Sequence, residues 1–123
     1  MKLNHLAICA RDVAASQDFY CTYFGFRQGP GPGLLASDEG FALAIHEVDE
    51  VPTLPACVHF GFFLETRARA VELYERMRRD AVVIEQEPEE HLGDLLFFCR
   101  DPAGFLVEVR GIGEPDAASA PST

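Results

Sequence analysis

Apolar and polar residues alternate from Leu3 to Ala10, with Leu6, Ile8 and Ala10 on one side and Leu3, His5, Ala7 and Cys9 on the other. A period of two marks a strand with two unlike faces. The period then lengthens: Val13, Gln17, Tyr20 and Phe24 share one stripe, which Phe19 and Tyr23 widen. Asp12 suits an N-cap and Gly25 a C-terminal glycine, so the spacing predicts a helix over 13–24. Gly-Pro-Gly-Pro-Gly at 29–33 excludes regular structure and marks a loop or irregular edge. Alternation returns in 34–37 and 41–48 around Asp38-Glu39-Gly40, which predicts a hairpin. Residues 49–56, with Pro52 and Pro55, read as a linker.

The pattern then starts again. Cys57 to Leu64 reads as a strand, Thr66 caps a helix over about 67–79, and Ala81 to Ile84 makes a short strand. Glu85 to Gly93, with Pro88, reads as an acidic loop. A second hairpin, Leu95–Cys99 and Phe105–Arg110, turns at Asp101-Pro102-Ala103-Gly104. Sliding the chain on itself by 54 residues lays Asn4-His5-Leu6 on Val58-His59-Phe60 and Phe19-Tyr20 on Leu73-Tyr74. An internal repeat fixes the architecture before any finer reading. The expectation is an α+β fold: two β-α-β-β-β modules, about 1–50 and 57–112, in one domain forming a curved mixed sheet with a concave site. The small, polar residues 113–123 read as a disordered tail.

Strand parity places candidate chemistry. With Phe41, Leu43, Ile45, Phe60, Phe62, Phe105, Val107 and Val109 toward the helices, His5, His46, His59, Glu108 and Arg110 turn to the other, concave face. Small residues at Ala7, Ala42, Ala44 and Gly61 leave room there. A lone strand histidine is as a rule a packing or surface residue, but a glutamate on an inward face is costly without a positive partner. Two imidazoles and one carboxylate, His5, His59 and Glu108, can hold a divalent ion and leave positions open for substrate. His46 reads equally as a fourth ligand or general base and as a pocket-lining residue. Glu47 reads as solvent-facing, and His91 as a surface residue of the acidic segment, which is also placed to lid a cavity. Cys9 and Cys57 read as neighbours of the metal or as inert packing. Phe63, Phe97 and Phe98 suit either an apolar pocket or the core, and Arg110 an anionic substrate or solvent.

Composition removes whole classes. Ten Lys+Arg against 20 Asp+Glu give a formal charge of −10, which argues against nucleic acid and anionic membrane as partners. No stretch approaches the ~20 apolar residues of a membrane span, and the N-terminal segment has no apolar secretory core. Four cysteines without a close pair, in a chain 48% hydrophobic, read as reduced thiols and a cytoplasmic home.

Asn-His-Leu-Ala-Ile at 4–8, Asp-Val-Ala-Ala-Ser-Gln-Asp-Phe-Tyr at 12–20 and Phe-Gly-Phe at 24–26 come in a recognisable order. Val-His-Phe-Gly-Phe at 58–62, Arg-Asp-Pro-Ala-Gly-Phe at 100–105 and Val-Glu-Val at 107–109 follow. Over residues 3–111 the chain resembles the vicinal oxygen chelate superfamily of glyoxalase I, bleomycin-resistance proteins and extradiol dioxygenases. The resemblance implies His5, His59 and Glu108 as ligands of a divalent ion (Fe, Ni, Mn or Zn), and His46 with Glu108 as catalytic groups. The candidates for contact with the substrate are Cys9, Phe63, Phe98 and Arg110. Glyoxalase I members carry a glutamate at the fourth position, where parity puts His46, and a glutathione-binding arginine where Cys9 stands. Extradiol dioxygenases have a tyrosine where Phe98 stands, and fosfomycin-resistance transferases a threonine at Ala7. The implied function is a metal-dependent lyase, isomerase or ring-cleaving oxygenase acting on a small substrate with vicinal oxygens. The alternative is a non-catalytic protein that binds an antibiotic or similar small molecule. A homodimer is implied as well, since two chains of this superfamily often complete each other's sheets.

Overall fold

The computed structural model describes residues 1–113. Its elements are β1 (His5–Ala10), α1 (Val13–Phe24), β2 (Arg27–Gln28), β3 (Leu34–Ala36), β4 (Ala42–Glu47), β5 (Phe60–Leu64), α2 (Arg67–Arg79), β6 (Ile84–His91), β7 (Asp94–Arg100) and β8 (Leu106–Gly111). The β-α-β-β-β order occurs twice, as the repeat predicts. Two compact units result: Met1–Leu54 with Pro102–Gly104, and Pro55–Asp101 with the described residues that follow Gly104. Each holds one four-stranded mixed sheet, ordered β1-β4-β3-β2 and β5-β8-β7-β6. The first strand of each module lies parallel to its last, and the remaining pairs are antiparallel. Of the segment expected as a tail, Gly113 is held by its N–H, which donates to Asp94 Oδ1 at 2.7 Å; residues 114–123 lie outside the described chain.

In the first module α1 begins where the Asp12 carboxylate accepts from the Ala15 N–H at 3.1 Å, satisfying an orphan donor of the first turn. It ends at Gly25, whose φ of 71° makes the left-handed C-cap. Phe19 and Tyr20 are buried with Ile8, Ala10, Leu35, Leu43 and Ile45, so the alternate strand positions assigned to the helix side do form the core. The large aliphatic and phenyl side chains among them (Ile8, Phe19, Leu35, Leu43 and Ile45) contribute roughly 1.5–3 kcal/mol each by leaving water. His5, Ala7, Ala42 and His46 stand exposed on the opposite face. The 29–33 loop is fastened at several points. Gly29 N–H donates to Leu34 O at 2.6 Å, Gly33 N–H to Gln17 Oε1 at 2.6 Å, and Ile45 N–H to Gly33 O at 2.7 Å. Gly33 has φ +76°, and a Cβ there would lie 2.3 Å from Ile45 O, so this position accepts only glycine.

In the second module Thr66 caps α2 by accepting from Arg69 N–H at 3.1 Å, and Ala70, Leu73 and Met77 face the sheet. Phe97, Cys99, Val107 and Val109 are fully buried beneath them. Phe105 N–H donates to the buried Asp101 carboxylate at 2.9 Å, which fixes the turn of the last hairpin. One expectation is corrected here. The acidic segment expected as a loop is most of β6, an eight-residue edge strand, and the chain before it, from Ala81, is a turn with no strand until Ile84. Three of its four glutamates are held by cations: Glu90 by Arg67 at 2.6 Å, Glu87 by Arg78 at 2.9 Å and Glu85 by Arg100 at 3.0 Å. Register shifts between Ile84 and Glu89 accommodate Pro88, which an edge strand tolerates. Leu92 and Gly93, at φ 51° and 88°, make the two-residue turn into β7.

Candidate metal centre

Residue parity on β8 decides the second module's site. Val107 and Val109 are fully buried on the α2 side, so Glu108 between them faces the other way. β5 starts at Phe60, three residues later than expected, and His59 stands just before it. His59 Nε2 nevertheless lies 3.1 Å from Glu108 Oε1, with side chains 34% and 18% exposed. Two strand neighbours frame the pair. Gly61 is the register partner of Glu108 on β5, and a Cβ there would fall 2.5 Å from Glu108 O and 2.7 Å from Glu108 Cβ. Phe98 is the partner on β7, and its ring stands edge-on to the His59 imidazole, centroids 5.1 Å apart. Absence of a side chain at Gly61 thus allows the close approach of β5 to Glu108.

Arg110, two residues along the same face, is anchored and not free. Its Nε donates to Asp94 Oδ2 at 2.8 Å, its Nη2 to His91 O at 3.4 Å, and its Nη1 lies 3.7 Å from Glu108 Oε2. The Asp94 carboxyl is held below the ordinary carboxylate range, first by the Arg110 hydrogen bond and then by the Gly113 N–H. A polar chain therefore runs from His59 through Glu108 and Arg110 to Asp94. Asp94 did not stand out in the sequence, since an aspartate opening a strand reads as a turn residue. Phe63, register partner of Arg110, is 74% exposed on this face. Phe97 belongs to the core, and His91 is exposed at the β6–β7 turn.

In the first module His5 opens β1, its Nδ1 3.0 Å from Asn4 Oδ1. With the amide oxygen as acceptor, Nδ1 carries the proton and the Nε2 lone pair is left for a ligand, an arrangement common to metal-binding histidines. Cys9 and His46 are register partners on β1 and β4 and share the face of His5. Glu47 is exposed, in register with Ala10. Cys57 is exposed ahead of β5, while burial pushes the Cys99 thiol up to about 12. The registers also compare the modules. Ala7 pairs with Ala44 and its repeat partner Gly61 with Glu108, so Ala44 is the first module's counterpart of Glu108. His46 lies two residues beyond that position.

The donors suit a divalent ion. Two ligands bound at ~2.0–2.2 Å to one ion stand roughly 2.8–3.5 Å apart, and the His59–Glu108 spacing falls inside that range. Among the described residues, no three His, Cys, Asp or Glu side chains gather to hold a metal.

The model of the Glyoxalase/Bleomycin resistance protein/Dioxygenase superfamily matches residues 2–109, and the chain belongs to that superfamily. A possible glyoxalase from Bacillus cereus is 28% identical with a TM-score of 0.76, the match covering 89% of this chain and 97% of that one. A lactoylglutathione lyase from Agrobacterium tumefaciens is 22% identical with a TM-score of 0.66, over 89% of this chain and 92% of that one. The fosfomycin resistance protein FosX from Listeria monocytogenes is 16% identical with a TM-score of 0.77, again over 89% and 92%. The latter two likenesses bear on the fold alone. No curated protein matches the chain.

Proposed function

We propose that this chain is a divalent-metal-dependent enzyme acting on a small substrate with two neighbouring oxygens, and that His5, His59 and Glu108 are the ligands. The observation that carries this reading is the His59 Nε2 to Glu108 Oε1 spacing of 3.1 Å, held by the Gly61 approach. His5, with Nδ1 engaged by Asn4, is the proposed third donor. When bound, such an ion acts as a Lewis acid toward the substrate's oxygens. Glu108, His5 and His59 would hold it, with the Phe98 ring edge-on to the His59 imidazole and Arg110 Nη1 3.7 Å from the second oxygen of Glu108. His46 is the proposed general base, taking a proton at an imidazole nitrogen, with Cys9, Phe63 and Phe98 as substrate neighbours. The reaction class is a lyase, isomerase or ring-cleaving oxygenase. A second reading, capture of a small molecule without chemistry, draws support from the largely apolar surround of His5.

The chain is further proposed to work as a cytoplasmic homodimer. Its cysteines are all free, and among the described residues no helix is long and apolar enough to cross a membrane. A monodisperse monomer in light scattering at micromolar concentration would oppose the dimer.

The functional test uses tag-free protein loaded in turn with Fe(II), Ni(II), Mn(II) and Zn(II) and screened against vicinal diols and α-keto hemithioacetals. Metal content and turnover should fall together in His59→Ala. In His46→Ala metal should stay, while turnover drops by ~10²–10⁴-fold, the usual contribution of a positioned acid or base. Undiminished metal in His59→Ala defeats the ligand set. Tight binding without turnover under every metal establishes the capture reading instead.

A further inference from the structure

The modules differ at one equivalent position in a way that bears on substrate. Glu108 has Ala44 as its counterpart, so where the second module projects a carboxylate the first projects a methyl group. Around that methyl lies a cavity of about 350 Å³, within the ~300–1,000 Å³ of small-molecule sites. Its walls include His5, Pro30, Leu34, Ala36, Ala42 and Ala44, and His5 is the only lining residue with a polar side chain. Leu34 and Ala36 are the register partners of Ala44 and Ala42, so β3 and β4 present all four to one face.

The wall on the loop side is built in advance. The hydrogen bonds of Gly29, Gly33 and Ile45 leave the 29–33 segment little freedom to close over the space or open it. The lining carries no carboxylate, lysine or arginine. Water in such a hollow finds few partners, whereas an apolar group releases it at no loss of hydrogen bonds. A flat ring or a branched alkyl group matches this volume and chemistry; an anionic or sugar-like group does not.

We propose that this cavity is a specificity subsite for an aryl or branched-alkyl arm of the substrate, whose oxygen-bearing end lies toward His5. The assignment rests on the metal-site reading for the placing of the oxygens, but the subsite itself does not require the metal. A glutamate at residue 44, as its counterpart Glu108 is, would fill the hollow and add charge to it.

The experiment reads methyl chemical shifts of the full chain by NMR. Benzyl alcohol, the arm alone, should shift the methyls of Leu34, Ala42 and Ala44 saturably, and equally in His59→Ala. Ala44→Phe fills the space and should abolish those shifts. Leu34→Asp, at a half-exposed position that tolerates a polar side chain, should do so without overpacking. With the oxygens added, 4-phenylcatechol should bind about tenfold or more tighter than catechol, and Ala44→Phe should erase the preference while leaving metal content intact. Benzyl alcohol shifts absent from these methyls, or preserved in both variants, overturn the subsite. If benzyl alcohol binds here while metal content ignores His59, the ligand set fails and the subsite stands.

Discussion

Replacing Gly61 by alanine tests how the site is built. The added methyl carbon would sit 2.5 Å from Glu108 O and 2.7 Å from Glu108 Cβ, where real Cβ atoms keep at least 3.0 Å. Both obstacles belong to β8, one of them to its backbone, so no rotamer change relieves the clash. β5 and β8 must separate by about 0.5 Å or more, and overpacking of this kind costs roughly 1–3 kcal/mol. For a chain of 123 residues each kcal/mol moves the melting midpoint by about 3–5 °C, so a drop of roughly 3–15 °C is expected in thermal unfolding. The same displacement parts His59 from Glu108. Metal affinity, measured by titration calorimetry at a temperature where the variant is folded, should fall by about 10–100-fold, as it does when ligand supports are disturbed. Phe63→Ala, on the same strand and face but 74% exposed, is the control and should do neither. A Gly61→Ala protein with wild-type melting and wild-type metal affinity would refute the argument that this glycine sets the ligand spacing.

Two further outcomes follow from the surroundings. Asp94 has its carboxyl depressed from 3.8 by Arg110 and the Gly113 N–H, so it contributes stability above that pH and loses it as pH falls through the lowered value. The stability advantage of wild type over Asp94→Asn, followed by urea unfolding, should be flat at neutral pH and close only in acid; an advantage that persists undiminished through the acid range contradicts the assignment. In native alkylation at about pH 8 read by mass spectrometry, exposed Cys57 should react while Cys99, buried and pushed up to about 12, stays unmodified until denaturant is added. Rapid labelling of Cys99 in the folded protein would contradict its place under α2.

The helices were legible because their signals are local. Asp12, Gly25 and Thr66 act within one turn of where they stand, and the residues bracketed in the sequence, 13–24 and 67–79, are the helices found. Parity also survived, since burying Val107 and Val109 forces Glu108 to the other face whatever the rest of the module does. β6 was hidden because its stability is not local. Glutamates and a proline are poor strand formers, and the strand exists through pairing with β7 and through arginines on α2 and β7. Register was hidden too. Parity says which face a residue takes but not how far along the sheet it stands. The longer β6–β7 hairpin stretches the repeat offset from 54 at Ala7 and Gly61 to 64 at Ala44 and Glu108, so Ala44 could not be matched to Glu108 by sliding the sequence. The Arg110–Asp94 anchor was likewise invisible, because only the β7–β8 ladder brings those side chains together.

X-ray absorption at the metal edge of protein loaded with one equivalent of Ni(II) or Zn(II) tests the ligand set most directly. The expected first shell holds two imidazoles and a carboxylate, with nitrogen and oxygen donors near ~2.0–2.2 Å, and it loses one imidazole in His5→Ala and one in His59→Ala while staying unchanged in His46→Ala. A shell without imidazole, or one that His5→Ala and His59→Ala leave untouched, would contradict the proposed centre.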